Sequence, residues 1–250
     1  MTRRCLEHLR RHTTHPYELI VIDNGSRDRT QKVLQAFASS LKRRSGPERF
    51  QRLCNDRNLG FAHAINQGAR EARGRYLCWL NNDVVVFSHW LERLVAAAED
   101  SKDIAAVGPC AHISWGAQAS HGSSGLSLAQ GSHFAEAWHL RHQGLRTEAN
   151  YLWGFCLLVK RAAADRVGPL DEGLGLAGWE DIDFCLRLRQ AGFRLAIVRD
   201  VFVRHDAHAS FSANDLDLVQ IESESLAKFK AKWGLSGLMP QERSPVPASP

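Results

Sequence analysis

Apolar runs and helix-like segments alternate through the first half of this sequence. Runs typical of buried strands occupy residues 17–22, 49–54, 75–80 and 104–107. In the intervals, apolar side chains recur every three or four residues, as they do on one face of a helix. Strands and helices alternating at this spacing predict an α/β fold, Rossmann-like, with three α/β/α layers and a mostly parallel central sheet.

The second half of the sequence is less regular. Residues 110–149 are rich in Gly, Ser and His and show little periodicity, and a segment of this length without structure is expected to be functional or mobile. Helices are predicted over residues 179–191 and 216–233. We expect one domain over residues 1–238, followed by a disordered Pro/Ser-rich tail at residues 239–250.

Composition excludes several classes of protein. The 250 residues are 44% hydrophobic and 24% charged, with a formal net charge of +5. Apolar runs stay well short of the ~18 residues of a membrane span, and the N-terminus lacks the apolar segment of a signal peptide. The scattered charge has no aromatic-basic motif, which argues against nucleic-acid binding. The one dense basic run, residues 42–52, is expected to be a solvated helix end and loop, with peripheral contact to anionic lipid headgroups as the alternative.

The six cysteines form neither a CxxC pair nor a Cys/His cluster, which argues against a zinc site. Most of them lie within apolar runs, where a free cysteine behaves as a small buried hydrophobic residue. This use of cysteine is typical of a reducing compartment, so a cytoplasmic location is expected.

Polar clusters interrupt the apolar pattern where predicted strands end. In doubly wound sheets, ligands bind at the carboxyl ends of the strands. Asp23, Asn24 and Ser26 follow the first predicted strand. A carboxylate at this place can accept hydrogen bonds from a base or a ribose, and an Asx turn is the alternative interpretation.

A second cluster opens a predicted helix. Gly60 would let a phosphate approach the backbone at the helix N-terminus, next to Asn58, with Asn66 further along the same helix. A simple helix cap is the alternative.

A third cluster, Asn81, Asn82 and Asp83, follows another predicted strand. Carboxylates together with substrate phosphates are the oxygen ligands that Mg²⁺ and Mn²⁺ prefer, and a polar turn is the alternative. His205 comes just after a later apolar run, with His208 close behind. A histidine there can complete a metal site or play a structural role.

The fourth cluster places Glu180, Asp181 and Asp183 in the first turn of a predicted helix. Acids at this position complement the helix macrodipole, which is one interpretation. The other is that a carboxylate acts as general base toward an alcohol. Asp183 is expected to tether the helix or an arginine.

Taken in order, these clusters resemble family 2 of the glycosyltransferases. The resemblance runs through IDNGSRDRT, NLGFAHAINQGAREARGRYLCWLNND, LLVKRAAADRVGPLDE, GWEDIDFCLR and VRHDAHASF, roughly residues 2–215. It implies a GT-A fold and inverting transfer of a sugar from a UDP-, dTDP- or GDP-sugar to a glycan, lipid-linked or protein acceptor. The implied process is cell-surface polysaccharide or glycan synthesis, in the cytoplasm or at the inner face of the membrane.

The resemblance also implies roles for individual residues. Asp83 and His205 would hold Mg²⁺ or Mn²⁺, with His208 as the alternative histidine. Asp181 would be the base that deprotonates the acceptor hydroxyl, and Glu180 would help to place the acceptor. The implied nucleotide-site residues are Asp23, Asn24, Ser26, Asn58, Gly60, Asn66, Asn81 and Asn82. Residues 110–149, with the following Trp153 and Gly154, are predicted to recognise the acceptor.

Two departures from the family pattern bear on activity. Asn81 stands where the first acid of the family's DxD motif lies. The sequence opens with MTRRCLEHL, where the family's first helix would lie, so the resemblance implies a sheet without its usual first strand and a buried edge left unpaired. An inactive nucleotide-binding remnant is therefore the alternative function. A sugar-1-phosphate nucleotidyltransferase would carry a Gly- and Lys/Arg-rich loop near residue 1, and none is present.

Overall fold

The computed structural model describes residues 1–41, 46–114, 116–120, 127–206 and 217–235. Its helices are α1 (Thr2–His12), α2 (Thr30–Leu41), α3 (Phe61–Glu71), α4 (Trp90–Glu99), α5 (Leu128–His142), α6 (Arg161–Val167), α7 (Glu180–Gln190) and α8 (Leu218–Trp233). Its strands are β1 (Glu18–Asn24), β2 (Arg49–Asn55), β3 (Tyr76–Leu80), β4 (Val84–Val85), β5 (Ile104–Ala111), β6 (Arg146–Ala149), β7 (Cys156–Lys160) and β8 (Arg194–His205).

The described strands form two sheets. β1 and β2 pair with each other in parallel, and the larger sheet has the order β3-β7-β5-β8-β4, with β6 also on β8. β5 and β8 are parallel. The other pairs of this sheet are antiparallel: β7 pairs with β3 and β5, and both β4 and β6 pair with β8. The predicted α/β fold is confirmed. Of the two parallel pairs, β1–β2 lies in the first half of the chain, whereas β5–β8 joins the two halves.

Helices cover the larger sheet on both faces. One core packs α4 and α8 against the sheet through residues such as Leu94 and Phe229. The other packs α6 and α7 through Ala163 and Leu188. β5 is buried along its whole length and contributes side chains to both cores, which explains its continuous apolar run.

The prediction of a structureless segment over residues 110–149 is wrong for most of the part that is described. α5 begins with a capping box, in which the Ser127 hydroxyl accepts from the Gln130 backbone and the Gln130 side chain accepts from the Ser127 backbone. Its buried residues include Gly131 and Ala135, which are too small to give a strong apolar period. The predicted tail at residues 239–250 and the basic residues 42–45 lie outside the described residues.

A gap separates the two sheets. Among the described strands, β1 pairs only with β2 and β3 pairs only with β7, so the facing edges of β1 and β3 carry no strand partner there. A cavity of about 1020 Å³ lies between them and is lined by apolar side chains of α1 and α3, among them Leu6, Leu9, Ile65 and Ala69. None of the described helices is long and apolar enough to cross a bilayer.

Candidate active site

The cavity extends from the gap between the sheets to the carboxyl ends of β1 and β3. Most of the residues predicted from the sequence line it, although they come from distant parts of the chain. Those lining the cavity are Asp23, Asn24, Ser26, Asn58, Asn81, Asn82, Asp83, Glu180, Asp181 and His205. Gly60 and Asn66 are not among its lining residues.

Asp23 combines an Asx turn with an unsatisfied oxygen. Its Oδ1 accepts the Ser26 backbone N–H at 3.0 Å, as a turn requires. Its Oδ2 is buried and has no hydrogen-bond partner in the part of the chain that the structure describes. A buried carboxylate oxygen without a donor is costly, so this oxygen marks a place where a ligand could donate. Both interpretations of this cluster therefore apply: Oδ1 forms the Asx turn, and Oδ2 is available to a ligand.

The Asn24 and Asn58 side chains build the loop beside this aspartate. The Asn24 amide donates to Asn58 Oδ1 at 2.9 Å and to the Gly60 carbonyl at 3.1 Å. Its own oxygen accepts the Leu59 N–H at 3.1 Å. Gly25 has φ of 81°, and a Cβ there would lie 2.6 Å from the Arg57 backbone, so only glycine fits this close approach.

Asn66 has a different position from the one its predicted role requires. Its amide group exchanges two hydrogen bonds of 2.9 Å with the Leu170 backbone and donates to Glu172 at 2.8 Å. The side chain is buried and its amide is committed to the loop before α7. The structure therefore places Asn66 as a tie between α3 and that loop rather than at the cavity wall.

Asn81 and Asn82 form the turn between β3 and β4. The Asn81 N–H donates to Phe155 O at 2.9 Å, and its carbonyl accepts from Val84 N at 3.1 Å. The Asn82 side chain donates to Thr2 Oγ1 at 3.1 Å. These contacts hold the turn and leave Asp83 buried at the cavity.

Asp83 and His205 lie together although they are far apart in sequence. His205 Nε2 is 3.5 Å from Asp83 Oδ1, an oxygen with no hydrogen bond among the described residues. The pairing of Val84 in β4 with His205 in β8 brings them together. On the other side of the ring, Nδ1 lies 3.1 Å from the Ile113 carbonyl, which favours a proton on Nδ1 and directs Nε2 toward Asp83. His208, the alternative histidine, lies outside the described residues.

His112 supports this histidine and was not recognised from the sequence. Burial lowers the pKa of His112 to about 4, and the Arg204 and His205 charges act in the same direction. The neutral ring accepts the His205 backbone N–H on Nδ1 at 3.2 Å. A lone histidine in an irregular segment carries no local signal of this contact.

Asp181 faces the cavity from the first turn of α7. Its Oδ2 accepts the Gly154 N–H at 2.7 Å and its Oδ1 accepts its neighbour's N–H, from Ile182, at 2.8 Å. This close approach is possible because residue 154 is glycine: a Cβ there would lie only 3.1 Å from the Asp181 Cβ. Glu180 is also buried and lines the same cavity.

Other cavity residues were not predicted as site residues. Arg27 and Arg29 line the cavity beside Asp23, and their position directly after the DNGS turn was a signal that could have been used. Glu222 reaches the cavity from α8, and nothing local in the sequence indicates that.

Comparison with known proteins identifies the family. The sequence model described as Glycosyl transferase family 2 matches residues 1–168. The chain belongs to this family. The predicted membership is thereby confirmed, and α7 and α8 lie beyond the matched residues.

Curated relatives agree with this family. The chain is 30% identical over 191 residues to an uncharacterized protein, y4gI, of Sinorhizobium fredii, covering 71% of this chain and 20% of the relative. It is 24% identical to the glycosyltransferase AglE of Haloferax volcanii, with coverage of 76% and 57%. The chain thus spans between a fifth and three fifths of these relatives.

Solved structures show the same fold. The mannosyltransferase PcManGT of Pyrobaculum calidifontis, in complex with GDP-Man and Mn²⁺, matches with a TM-score of 0.62 and 16% identity, over 94% of this chain and 61% of that one. GalNAc-T7 with UDP, GalNAc and Mn²⁺ matches with a TM-score of 0.56 and 18% identity, over 75% and 37%. The predicted GT-A fold is confirmed by these neighbours.

Proposed function

We propose that this chain transfers a sugar from a nucleoside-diphosphate sugar to an acceptor hydroxyl with inversion at the anomeric carbon, assisted by a divalent metal. One observation carries the proposal. A single cavity collects a buried unsatisfied carboxylate oxygen of Asp23, the Asp83–His205 pair and the Asp181 carboxylate. These are the groups that nucleotide binding, metal binding and proton removal need.

Asp23 is proposed to bind the nucleoside. Its unsatisfied Oδ2 can accept an N–H of a base or an O–H of a ribose, while Oδ1 keeps the turn to Ser26. Asn24, Asn58 and Gly60 hold the loop at that position through their mutual hydrogen bonds. Of the three proposed donors, UDP and GDP derivatives are those present in the two structural neighbours.

Asp83 and His205 fit a divalent ion. Ligands at right angles around an ion with bonds of 2.0–2.2 Å lie roughly 3 Å apart, close to the 3.5 Å between Asp83 Oδ1 and His205 Nε2. In the described ranges, no three or more His, Cys, Asp and Glu side chains are placed so that together they could hold a metal ion, so donor phosphates and water would supply the other ligands, as is usual for Mg²⁺. A bound Mg²⁺ or Mn²⁺ would stabilise the negative charge of the diphosphate leaving group. Both structural neighbours contain Mn²⁺.

Asp181 is proposed to be the general base. The Gly154 and Ile182 N–H groups hold its carboxylate in one orientation at the cavity, and removal of a proton by a fixed side chain contributes ~10²–10⁴-fold. The acceptor hydroxyl would attack the anomeric carbon from the face opposite the diphosphate, which inverts the configuration. Glu180, beside Asp181 at the cavity wall, is proposed to place the acceptor.

The setting is proposed to be cell-surface polysaccharide or glycan synthesis in the cytoplasm or at the inner face of the membrane. The chain is 25% identical to the O-antigen biosynthesis protein RfbC of Myxococcus xanthus, over 86% of this chain and 17% of that protein. All six cysteines are free, which suits a reducing compartment. Proposed acceptors are glycan, lipid-linked or protein hydroxyls.

The test measures release of nucleoside diphosphate from UDP-, dTDP- and GDP-sugars with Mn²⁺, in the presence of oligosaccharide and lipid-linked acceptors. Asp83→Ala and Asp181→Asn are each expected to abolish transfer, and a chelator should suppress it in the unmodified chain. Asp165→Asn removes an exposed carboxylate that does not line the cavity and serves as the control. Full transfer by Asp181→Asn would refute the assigned base.

The gap between β1 and β3 favours one second candidate, a nucleotide-binding remnant without transferase activity. Two strand edges beside the nucleotide site have no partner among the described strands. Such edges would let the site bind nucleotide without holding the donor rigidly enough for transfer. Nucleotide binding to the unmodified chain, with no transfer for any donor, would favour the remnant over the enzyme.

A further inference from the structure

Asp183 is a buried carboxylate that does not line the cavity. Its side chain is fully buried and lies between two cations. Oδ2 accepts from Arg187 Nε at 2.9 Å, and Oδ1 accepts from Trp233 Nε1 at 3.0 Å and lies 2.7 Å from Lys232 Nζ. The predicted tether to an arginine is confirmed, and α8 supplies two further partners.

A helix cap does not account for this environment. An acid that only complements the helix dipole works at the surface, whereas burying a carboxylate is expensive unless every oxygen is paired. Here the carboxyl group joins α7 to α8, and Arg187 extends the contacts to the end of α6 and the following loop, because it also donates to the Val167 carbonyl at 2.7 Å and the Pro169 carbonyl at 2.8 Å. The group is therefore an anchor for the start of α7 rather than a cap.

α8 holds the loop before α7 at more than one point. Lys232 also bonds Asp171 Oδ2 at 2.6 Å. About two turns before Lys232 on the same helix, the buried Ser225 hydroxyl donates to the Ala177 carbonyl at 2.8 Å. Phe229 packs on Trp179 with ring centroids 5.1 Å apart. The loop from residue 171 to residue 179 is thus fixed along its length by one face of α8.

The same loop is fixed from α3. Asn66 exchanges hydrogen bonds with Leu170, and both Asn66 and His63 bond the Glu172 carboxylate. The helix beside the proposed nucleotide loop and the helix carrying the proposed base are therefore connected through the segment around residue 170.

Trp179 shows why this segment needs an anchor. It has φ of 74°, a left-handed conformation that is unfavourable for a bulky residue unless its surroundings impose it. Trp179 directly precedes Glu180 and Asp181, and its carbonyl accepts the Asp183 N–H at 2.8 Å. Relaxation of Trp179 would rotate the first turn of α7 and move Asp181 away from Gly154.

We propose that Asp183 is a positioning residue for the reaction, and that Lys232 and Trp233 of α8 act through it to hold Asp181 against the Gly154 N–H. This inference rests on the proposed role of Asp181 as base. It assigns a function to α8, which lies outside the residues matched by the family model.

The test compares Lys232→Met, Trp233→Phe and Lys232→Arg with Lys230→Met as the matched control. Lys230 lies two residues before Lys232 on the same helix, about 200° around its axis and so on another face. Lys232→Met and Trp233→Phe are expected to lower kcat by roughly 10²-fold, the cost of misplacing a reacting group by about 1 Å, with the donor KM unchanged. Lys232→Arg should restore most of the activity, because it returns a cation to Asp183.

Hydrogen exchange gives a readout that needs no turnover. The Gly154 and Ile182 N–H groups bond the Asp181 carboxylate, so their exchange should become roughly tenfold faster in Lys232→Met, as expected when a local contact opens more often. The Ser26 N–H, bonded to Asp23, should exchange at an unchanged rate, as should all three N–H groups in Lys230→Met.

Unchanged protection of Gly154 and Ile182 in both Lys232→Met and Trp233→Phe would overturn the inference. Trp233→Phe keeps an aromatic ring in place, so it covers the case in which Lys232→Met does not fold. If Asp181→Asn retains transfer, the proposed base fails. If Asp181→Asn is inactive while the two α8 variants keep their kcat, only the positioning role fails.

Discussion

Replacing Asp23 by asparagine should weaken nucleotide binding while stabilising the free protein. In the free chain, Asp23 Oδ2 is buried without a hydrogen-bond donor among the described residues, and only 3% of the residue is exposed. Asparagine keeps the Oδ1 acceptor for the Ser26 turn and removes a desolvated charge. A neutral amide costs less to bury than an unpaired carboxylate.

The magnitudes follow from the cost of that oxygen. Leaving a buried polar atom unsatisfied costs about 1–3 kcal/mol, and more for a charged group. Asp23→Asn puts a neutral NH2 in place of the charged oxygen, so it should raise the free energy of unfolding by the difference, about 1 kcal/mol. For a domain of this size that is a rise of about 2–4 °C in Tm. A hydrogen bond to a charged acceptor contributes about 1.5–3 kcal/mol, so nucleotide affinity should fall by roughly 10- to 100-fold.

Thermal unfolding and calorimetric titration with UDP, GDP and dTDP, each with Mn²⁺, would measure both effects. Asp56→Asn is the matched control, because it removes an exposed carboxylate near the same loops. Loss of stability together with undiminished nucleotide affinity would refute the reasoning, since Asp23 would then act only through its turn.

Three further outcomes are expected. Gly68→Ala should stabilise the protein by about 0.5–1 kcal/mol, because alanine is favoured over glycine inside a helix and the new Cβ would meet an isoleucine side chain at an ordinary 3.7 Å. Gly131→Ala should destabilise the protein, because its Cβ would lie 2.9 Å from a buried phenylalanine ring. Chemical denaturation would compare the two. The hydrogen bond from Lys232 lowers the pKa of Asp171 in the folded protein. The ionised Asp171 carboxylate therefore stabilises the fold above pH ~4, the pKa of the unfolded chain. This stabilisation is lost as the pH falls through the lower pKa of the folded state. The acid-induced loss of stability should therefore be smaller in Asp171→Asn. Mn²⁺ with nucleotide at 100 times Kd should stabilise the unmodified chain by about 2.7 kcal/mol; this gain should be lost in Asp83→Asn, and an equal gain there would contradict the metal site.

The local sequence determined most of the elements. The strand-like and helix-like periods between residues 17 and 107 correspond to β1, β2, β3 and β5 and to the helices between them, because burial on a sheet or on a helix face imposes those periods. The two-residue strand β4 was not predicted. α5 was missed because its buried residues, Gly131 and Ala135, are too small to give a strong apolar period. Local periodicity reports burial only when the buried residues are large.

The sequence by itself also determined which side chains could do chemistry. Asp23, Asp83 and Asp181 stand out because carboxylates interrupt apolar runs only where a turn or a ligand requires them. Only the tertiary structure decided which of them meet. Pairing of β4 with β8 places His205 beside Asp83. The two residues are more than a hundred positions apart, so no local sequence pattern indicates their contact.

Tertiary structure likewise separated residues that look alike in the sequence. Asn66 and Asn24 both belong to polar clusters, yet Asn66 ties α3 to the loop at Leu170 while Asn24 lines the cavity. Asp181 and Asp183 stand two residues apart on α7. The helix turns Asp181 toward the cavity and buries Asp183 between two cations, Arg187 and Lys232. Residue type sets what a side chain can bind, and the packing around it decides what it does bind.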